Sequence, residues 1–349
     1  MIFASDNWAG ASEAVVRAVA AAAAGPARPY GRDTLTEAVE AAFASVFEHE
    51  VAVFFVATGT AANALALAHY ARPGGVVICH EASHLVADEA GAPEFFGAGT
   101  RLCGVAGPGG ILAPATVAAA LDRYRPDLLH SGQPSAVSIS QLTEAGVAWR
   151  PAEIAAVAAV AHGKGLPLHM DGARFANAVA GTGLSPADLT WRSGVDVLSF
   201  GGTKNGCMAA EAVVFFDRGT AQGFEFTRKR AGQLFSKSRF VAAQFAAYLE
   251  DGHWLALAGH ANAMAARLGA AIRAAGGRLA AEPDGNELFA VLPKVAADRL
   301  KEEGAVFYDW PTAGFDIAPL GADEVFVRLV ASFATREEEV DRFAALLAA

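Results

Sequence analysis

Short apolar runs alternate with alanine-rich stretches through the first two thirds of the chain. Residues 51–56, 76–79, 136–139, 166–170, 195–200 and 212–216 are almost unbroken apolar runs, β-branched or aromatic, and too short for helices. Such runs read as strands buried on both faces of a sheet. The alanine-rich stretches between them are long enough for crossover helices, so the pattern predicts a mainly parallel sheet in an α/β domain. Residues 151–162 show the step clearly: Pro151 stands in the first turn, Glu153 near the positive helix end, and Gly163 and Gly165 stop the helix. The strand that follows delivers Asp171 to the carboxyl edge of the sheet, where ligands of open α/β folds collect.

Beyond residue 248 the texture changes. A long helical stretch over 253–274 leads to Gly276-Gly277, strands near 278–281 and 287–292, a helix over 295–303, a strand over 325–331 and a last helix from residue 335. The pattern therefore divides the chain into a large domain, 1–248, and a smaller α+β domain, 249–349.

Composition narrows the class. With 53% apolar and 18% charged residues the chain has ample core material, which excludes long disorder. Its 27 basic and 37 acidic residues give a net charge of −10, and only Arg228-Lys229-Arg230 clusters positive charge, so no nucleic-acid partner is expected. Cys79, Cys103 and Cys207 are odd in number and form no CxxC pair, which predicts reduced thiols in a cytoplasmic protein and no metal. Asp6, Glu13 and Arg17 break any signal-peptide pattern. The longest uncharged run, 51–71, is interrupted by Thr58-Gly59-Thr60 and Asn63, so it reads as strand, turn and helix instead of a membrane span.

Candidate chemistry centres on Lys204, one of six lysines, which follows the run 195–200 and the pair Gly201-Gly202. An amine at the mouth of a buried strand, beside small residues that admit a flat ligand, is a candidate Schiff-base nucleophile. About thirty residues upstream, His169-Met170-Asp171-Gly172-Ala173-Arg174 ends another strand. The two motifs together point to pyridoxal phosphate, with Asp171 beside the ring nitrogen to keep it protonated. Thr58-Gly59-Thr60-Ala61-Ala62-Asn63 opens a helix whose free N–H groups suit a phosphate, although the turn taken alone reads more readily as a simple N-cap. Arg174 and Arg328 are clamps for an amino-acid carboxylate, Arg328 equally a buried ion-pair partner. His84, just after a strand, can stack on a flat ring and exchange protons, and His130 is a weaker candidate.

Phe3-Ala4-Ser5-Asp6-Asn7, Tyr30-Gly31-Arg32-Asp33, the Thr58 to Asn63 turn, Gly91-Ala92-Pro93-Glu94-Phe95-Phe96, the segment HMDGARFAN from His169 to Asn177 and FGGTKNG from Phe200 to Gly206 resemble the low-specificity L-threonine aldolase family, particularly its phenylserine-aldolase-like branch. The resemblance runs nearly end to end. It implies a fold-type-I pyridoxal phosphate enzyme, like aspartate aminotransferase in its large domain, assembled as a homotetramer of two dimers with shared active sites. It further implies Lys204 as the cofactor lysine, Asp171 at the pyridinium, His84 stacked on the ring, and Gly59 and Thr60 at the phosphate. Ser5, Arg174 and Arg328 would bind the substrate carboxylate, His130 would be a second active-site histidine, and Arg230 and Lys237 would reach the cofactor of an adjacent subunit. Ala57 stands where many relatives have proline, and Ser140-Gln141-Leu142-Thr143-Glu144 replaces a common Glu-Asn-Thr segment. These departures bear on substrate choice more than on the reaction. The expected activity is retro-aldol cleavage of a β-hydroxy-α-amino acid to glycine and an aldehyde, with His84 as the base and His130 second. β-Elimination or transamination on the same cofactor is the alternative.

Overall fold

The computed structural model describes all 349 residues. The apolar runs become strands of one seven-stranded sheet: β1 (Ala52–Val56), β2 (Gly75–His80), β3 (Arg101–Val105), β4 (Gln133–Ser140), β5 (Leu168–Gly172), β6 (Val197–Gly201) and β7 (Glu211–Phe215), in the order β1-β7-β6-β5-β4-β2-β3. Strands β2 to β6 pair parallel, and β7 lies antiparallel between β6 and β1. Every residue of β2, β5, β6 and β7 is buried, which is why those segments lack alternation. The pattern misses β3, because this edge strand exposes Arg101 and Gly104 and so never forms an apolar run.

Both faces of the sheet are covered. On one, Phe43, Phe47, Phe200, Phe245, Tyr248 and Trp254 belong to the largest apolar cluster. On the other lies the helix Gly59–Tyr70, whose residues Ala61 to Leu67 are all buried. Its alanines let the helix approach the strands closely, bringing its N-terminus to the carboxyl ends of β5 and β6.

The second sheet consists of β8 (Arg278–Leu279), β9 (Glu287–Pro293), β10 (Tyr308–Asp309) and β11 (Glu324–Val330), all antiparallel, in the order β10-β11-β9-β8. Its core includes Phe3 from the chain start. Phe3 donates its N–H to Val306 and accepts the N–H of Val330, each at 2.8 Å. The first residues, expected in the large domain, therefore pack with the small one. The helix His253–Ala274 serves both cores, through Trp254 and Ala258 on one side and Met264, Leu268 and Ile272 on the other.

Candidate active site

A cavity of about 320 Å³ opens where the carboxyl ends of β4, β5 and β6 meet the N-terminus of the helix Gly59–Tyr70. Lys204, Asp171, His84, Arg174, Gly59 and Thr60 all line it. Sequence pattern alone placed these residues at strand or helix ends, and the parallel topology brings those ends to one edge.

Lys204 sits in a 3-10 turn, Thr203–Asn205, directly after β6. Its amine is engaged in no hydrogen bond, and the Arg174 charge, followed by burial, lowers its pKa from the ordinary lysine value. A lowered amine pKa raises the fraction of free nucleophile. The neighbouring glycines have a different task from the one expected of them. A Cβ on Gly201 would lie 2.6 Å from the Ala173 carbonyl oxygen, and one on Gly202 would lie 2.7 Å from that of Ala210. They permit backbone packing behind the lysine, while ligand approach is left open elsewhere.

Asp171 is buried, and both of its oxygens are held. Oδ2 accepts from Asn63 Nδ2 at 2.8 Å and Oδ1 from the Ala173 N–H at 3.0 Å. Asn63 Nδ2 also donates to Glu89 Oε1 at 2.8 Å, and that oxygen accepts from His84 Nδ1 at 3.0 Å. A polar chain thus links the wall at His84 to the floor at Asp171. The hydrogen bond to Glu89 foremost holds the His84 pKa above its ordinary value. Asn63 and Glu89 had no assigned role in the sequence. Asn63 stands four residues after Gly59 on the buried helix face, a legible signal; Glu89 had none.

At the helix N-terminus, Thr58 Oγ1 accepts the Ala61 N–H at 3.1 Å as a true N-cap. The N–H groups of Gly59 and Thr60, in the first helical turn, have no intrahelical acceptors. A Cβ on Gly59 would meet nothing within 4 Å, so the space above it is open for a ligand. The turn is thus an N-cap that leaves room for a ligand above it. An unpartnered lysine, a fixed carboxylate, a flat imidazole wall and an open helix N-terminus fit pyridoxal phosphate.

The arginines are not free clamps. Arg174 faces Asp6 with Nε to Oδ2 at 2.8 Å and Nη2 to Oδ1 at 3.1 Å, and its Nη1 lies 3.3 Å from Glu287 Oε2. Arg328 donates to the other Glu287 oxygen and lies 5.0 Å over the Trp310 ring. Of the two open readings of Arg328, the ion pair is the one formed, and its side chain is not part of the cavity wall. Ser5, partly buried, caps the 3-10 turn Asp6–Trp8 by accepting the Asn7 N–H, and Asn7 itself lines the cavity.

Three expected site residues lie elsewhere in this chain. His130 is exposed in the turn before Gln133, the first residue of β4, whereas the cavity is at Ser140, the last. The length of that strand separates them, which corrects its placement in the chain's own site. Arg230 and Lys237 are exposed and outside the cavity. Two carboxyls that sequence reasoning missed do line it. Burial pushes Glu144 and Glu211 up to about 7 each. Neither carries a sequence signal, since a lone glutamate in a loop or at a strand start looks like surface.

Residues 3–294 match the model of the beta-eliminating lyase family. A low specificity L-threonine aldolase from Pseudomonas sp. (strain NCIMB 10558) is 41% identical over 98% of this chain and 96% of its own length. Another from Pseudomonas aeruginosa is 43% identical over 88% of each chain. The chain belongs to the low specificity L-threonine aldolase family. Leishmania major threonine aldolase superposes on 99% of this chain and 98% of its own, with a TM-score of 0.91 at 28% identity. Aspartate aminotransferase from Thermus thermophilus shares the fold, with a TM-score of 0.67 at 16% identity over 97% of this chain and 88% of its own. This threonine aldolase family member is thus a fold-type-I, pyridoxal phosphate-dependent enzyme and a carbon–carbon lyase.

Proposed function

We propose that the enzyme cleaves L-threonine, L-allo-threonine or a related β-hydroxy-α-amino acid such as phenylserine to glycine and an aldehyde. The observation that carries this reading is the partner-free Lys204 amine in one cavity with the doubly held Asp171 and the Arg174 side chain. Bound pyridoxal phosphate supplies an acceptor for the electron pair released when the Cα–Cβ bond breaks. Lys204 holds the cofactor, Asp171 faces its ring nitrogen, and Gly59 and Thr60 donate to its phosphate. His84 forms the wall against the ring, fixed from behind by Glu89. Arg174, the arginine of the cavity wall, receives the substrate carboxylate, and Asp6 and Glu287 hold its guanidinium in position for it. Fixing the carboxylate would orient the substrate so that the Cα–Cβ bond is the one the cofactor weakens.

The enzyme works as a homotetramer, a dimer of dimers, in which Arg230 and Lys237 extend from one subunit toward the cofactor of the next. Their exposure supports this, as do Phe95 and Phe226, which are 79% and 65% exposed in the single chain. Its partners are small amino acids and aldehydes, without nucleic acid or membrane. Its place is the cytoplasm, in keeping with three free thiols.

The test is product analysis with a panel of β-hydroxy amino acids. Glycine plus aldehyde in equal amounts is expected. Pyruvate, ammonia or an oxoacid would instead make the enzyme a β-eliminating lyase or an aminotransferase. Lys204→Ala should abolish the visible absorbance of the lysine-bound cofactor and reduce cleavage to background, and a variant with full turnover would refute the role of Lys204.

A further inference from the structure

Retro-aldol cleavage needs a group to take the β-hydroxyl proton. Apart from Lys204 and Asp171, which the cofactor engages in the reading above, three side chains able to accept a proton line the cavity, His84, Glu144 and Glu211, and Glu211 accepts the Thr203 N–H at 3.4 Å, next to the cofactor lysine. His84 is committed on one side, its Nδ1 bonded to Glu89 at 3.0 Å. Glu144 is placed differently. It lies in the turn after β4, half-buried, and its Oε1 receives two hydrogen bonds, from the His84 backbone N–H at 2.8 Å and from Ser140 Oγ at 2.9 Å. Two donors on one oxygen fix the carboxyl, while Oε2 receives no hydrogen bond from the chain and belongs to a residue of the cavity wall. Capping one N–H does not call for an acid in a site where loss of water disfavours its charged form.

We propose that Glu144 is the general base that accepts the β-hydroxyl proton of the substrate, at Oε2. The assignment rests on the retro-aldol reading above. In the step, the O–H proton passes to Oε2, the freed oxygen pair becomes the π bond of the aldehyde, and the Cα–Cβ pair stays on Cα, where the cofactor stabilises it. The glycine Cα later takes up one proton, and Glu144 returns its own to solvent, so the charge balances.

The electrostatics suit the task. Burial raises the Glu144 carboxyl to about 7, with the His84 N–H opposing and the Asp171 charge adding to the rise. His84, Asp171, Arg174 and the Cys79 thiol are the titratable or charged groups facing it. A carboxyl near neutrality accepts a proton more readily than an ordinary one, and it acts only when ionised, so cleavage should rise with pH through this range.

The experiment compares the wild-type holoenzyme with E144Q in two reactions. One is aldehyde release from L-threonine and phenylserine; the other is exchange of the glycine α-hydrogen in D₂O, followed by NMR. Glycine has no β-hydroxyl, so its exchange does not need this base. Expected is a fall of about 10²- to 10⁴-fold in kcat for cleavage, with the acid limb of the pH profile lost. Glycine exchange, and the affinity of the apoprotein for pyridoxal phosphate by fluorescence titration, should stay within about threefold. Cleavage within about threefold of wild type overturns the assignment. Equal loss in exchange and cofactor affinity also overturns it, because Glu144 would then be only a strut for His84. E144D keeps a carboxyl and serves if E144Q does not fold; it should retain the acid limb at lower kcat, and loss of that limb counts against the base. Wild type that exchanges glycine yet releases no aldehyde from any substrate defeats the retro-aldol reading itself, a result distinct because the unaltered enzyme is silent.

Discussion

Arg174 grips Asp6 at two points, Nε to Oδ2 at 2.8 Å and Nη2 to Oδ1 at 3.1 Å, although 168 positions separate them. The pair ties the chain start to the end of β5 and fixes Arg174 at the cavity. Burial alone would raise the Asp6 carboxyl, but the Arg174 charge, aided by Lys204, brings it from 3.8 down to about 2. Asp6 also accepts from Asn286 Nδ2 at 3.0 Å, next to the Glu287 that touches Arg174 and Arg328.

Asp6→Asn should therefore destabilise the protein by about 3 kcal/mol, because it leaves a buried guanidinium short of one carboxylate. The sign of the pH effect follows from a lowered carboxyl pKa. The contribution is complete above the unfolded value of 3.8 and is lost as pH falls through about 2. Denaturant unfolding of wild type and variant should thus differ at neutral pH and converge in acid; a constant gap across that range would contradict the ion-pair account.

Asn63→Ala removes the side chain that donates to both Asp171 and Glu89. A hydrogen bond to a charged group is worth about 2 kcal/mol, so cofactor affinity should fall by at least about tenfold. Fluorescence titration of the apoprotein measures this. Unaltered affinity would mean that the Ala173 N–H alone suffices to orient Asp171.

Gly59→Ala separates the two meanings of the Thr58 turn. The added methyl meets no protein atom within 4 Å, and alanine is the better helix former, so the apoprotein should be as stable as wild type or up to about 1 kcal/mol more so. With the phosphate held at Gly59 as proposed, the same methyl would stand in its way, so affinity for pyridoxal phosphate should drop about tenfold, equivalent to about 1.4 kcal/mol. Equal affinity in a calorimetric titration would leave the turn as a cap only.

Much of the scaffold was legible because burial on both faces leaves its mark on each strand separately. The segments that became β2, β5, β6 and β7 are wholly buried, and their apolar runs showed it. Strand β3 escaped because an edge strand tolerates Arg101 and Gly104. Lys204, Asp171 and the Thr58 turn were visible for a related reason: each is a polar or small break at or just past the end of a strand, and parallel strands bring such breaks to one edge.

Side-chain pairing was not visible. Nothing local in Arg328 distinguishes a free clamp from a partner of Glu287, and His130 resembles an active-site histidine until β4 places it at the opposite edge. The glycines beside Lys204 looked like room for a ligand, but they accommodate Ala173 and Ala210. By itself the sequence determined the periodicities, the strand ends and the chemical types set there, since these depend on neighbours a few residues away. Only the tertiary structure decided which charges meet, which carboxyls lose water and which atoms stay unpartnered, because those properties depend on distances between residues that the order of the strands in the sheet brings together.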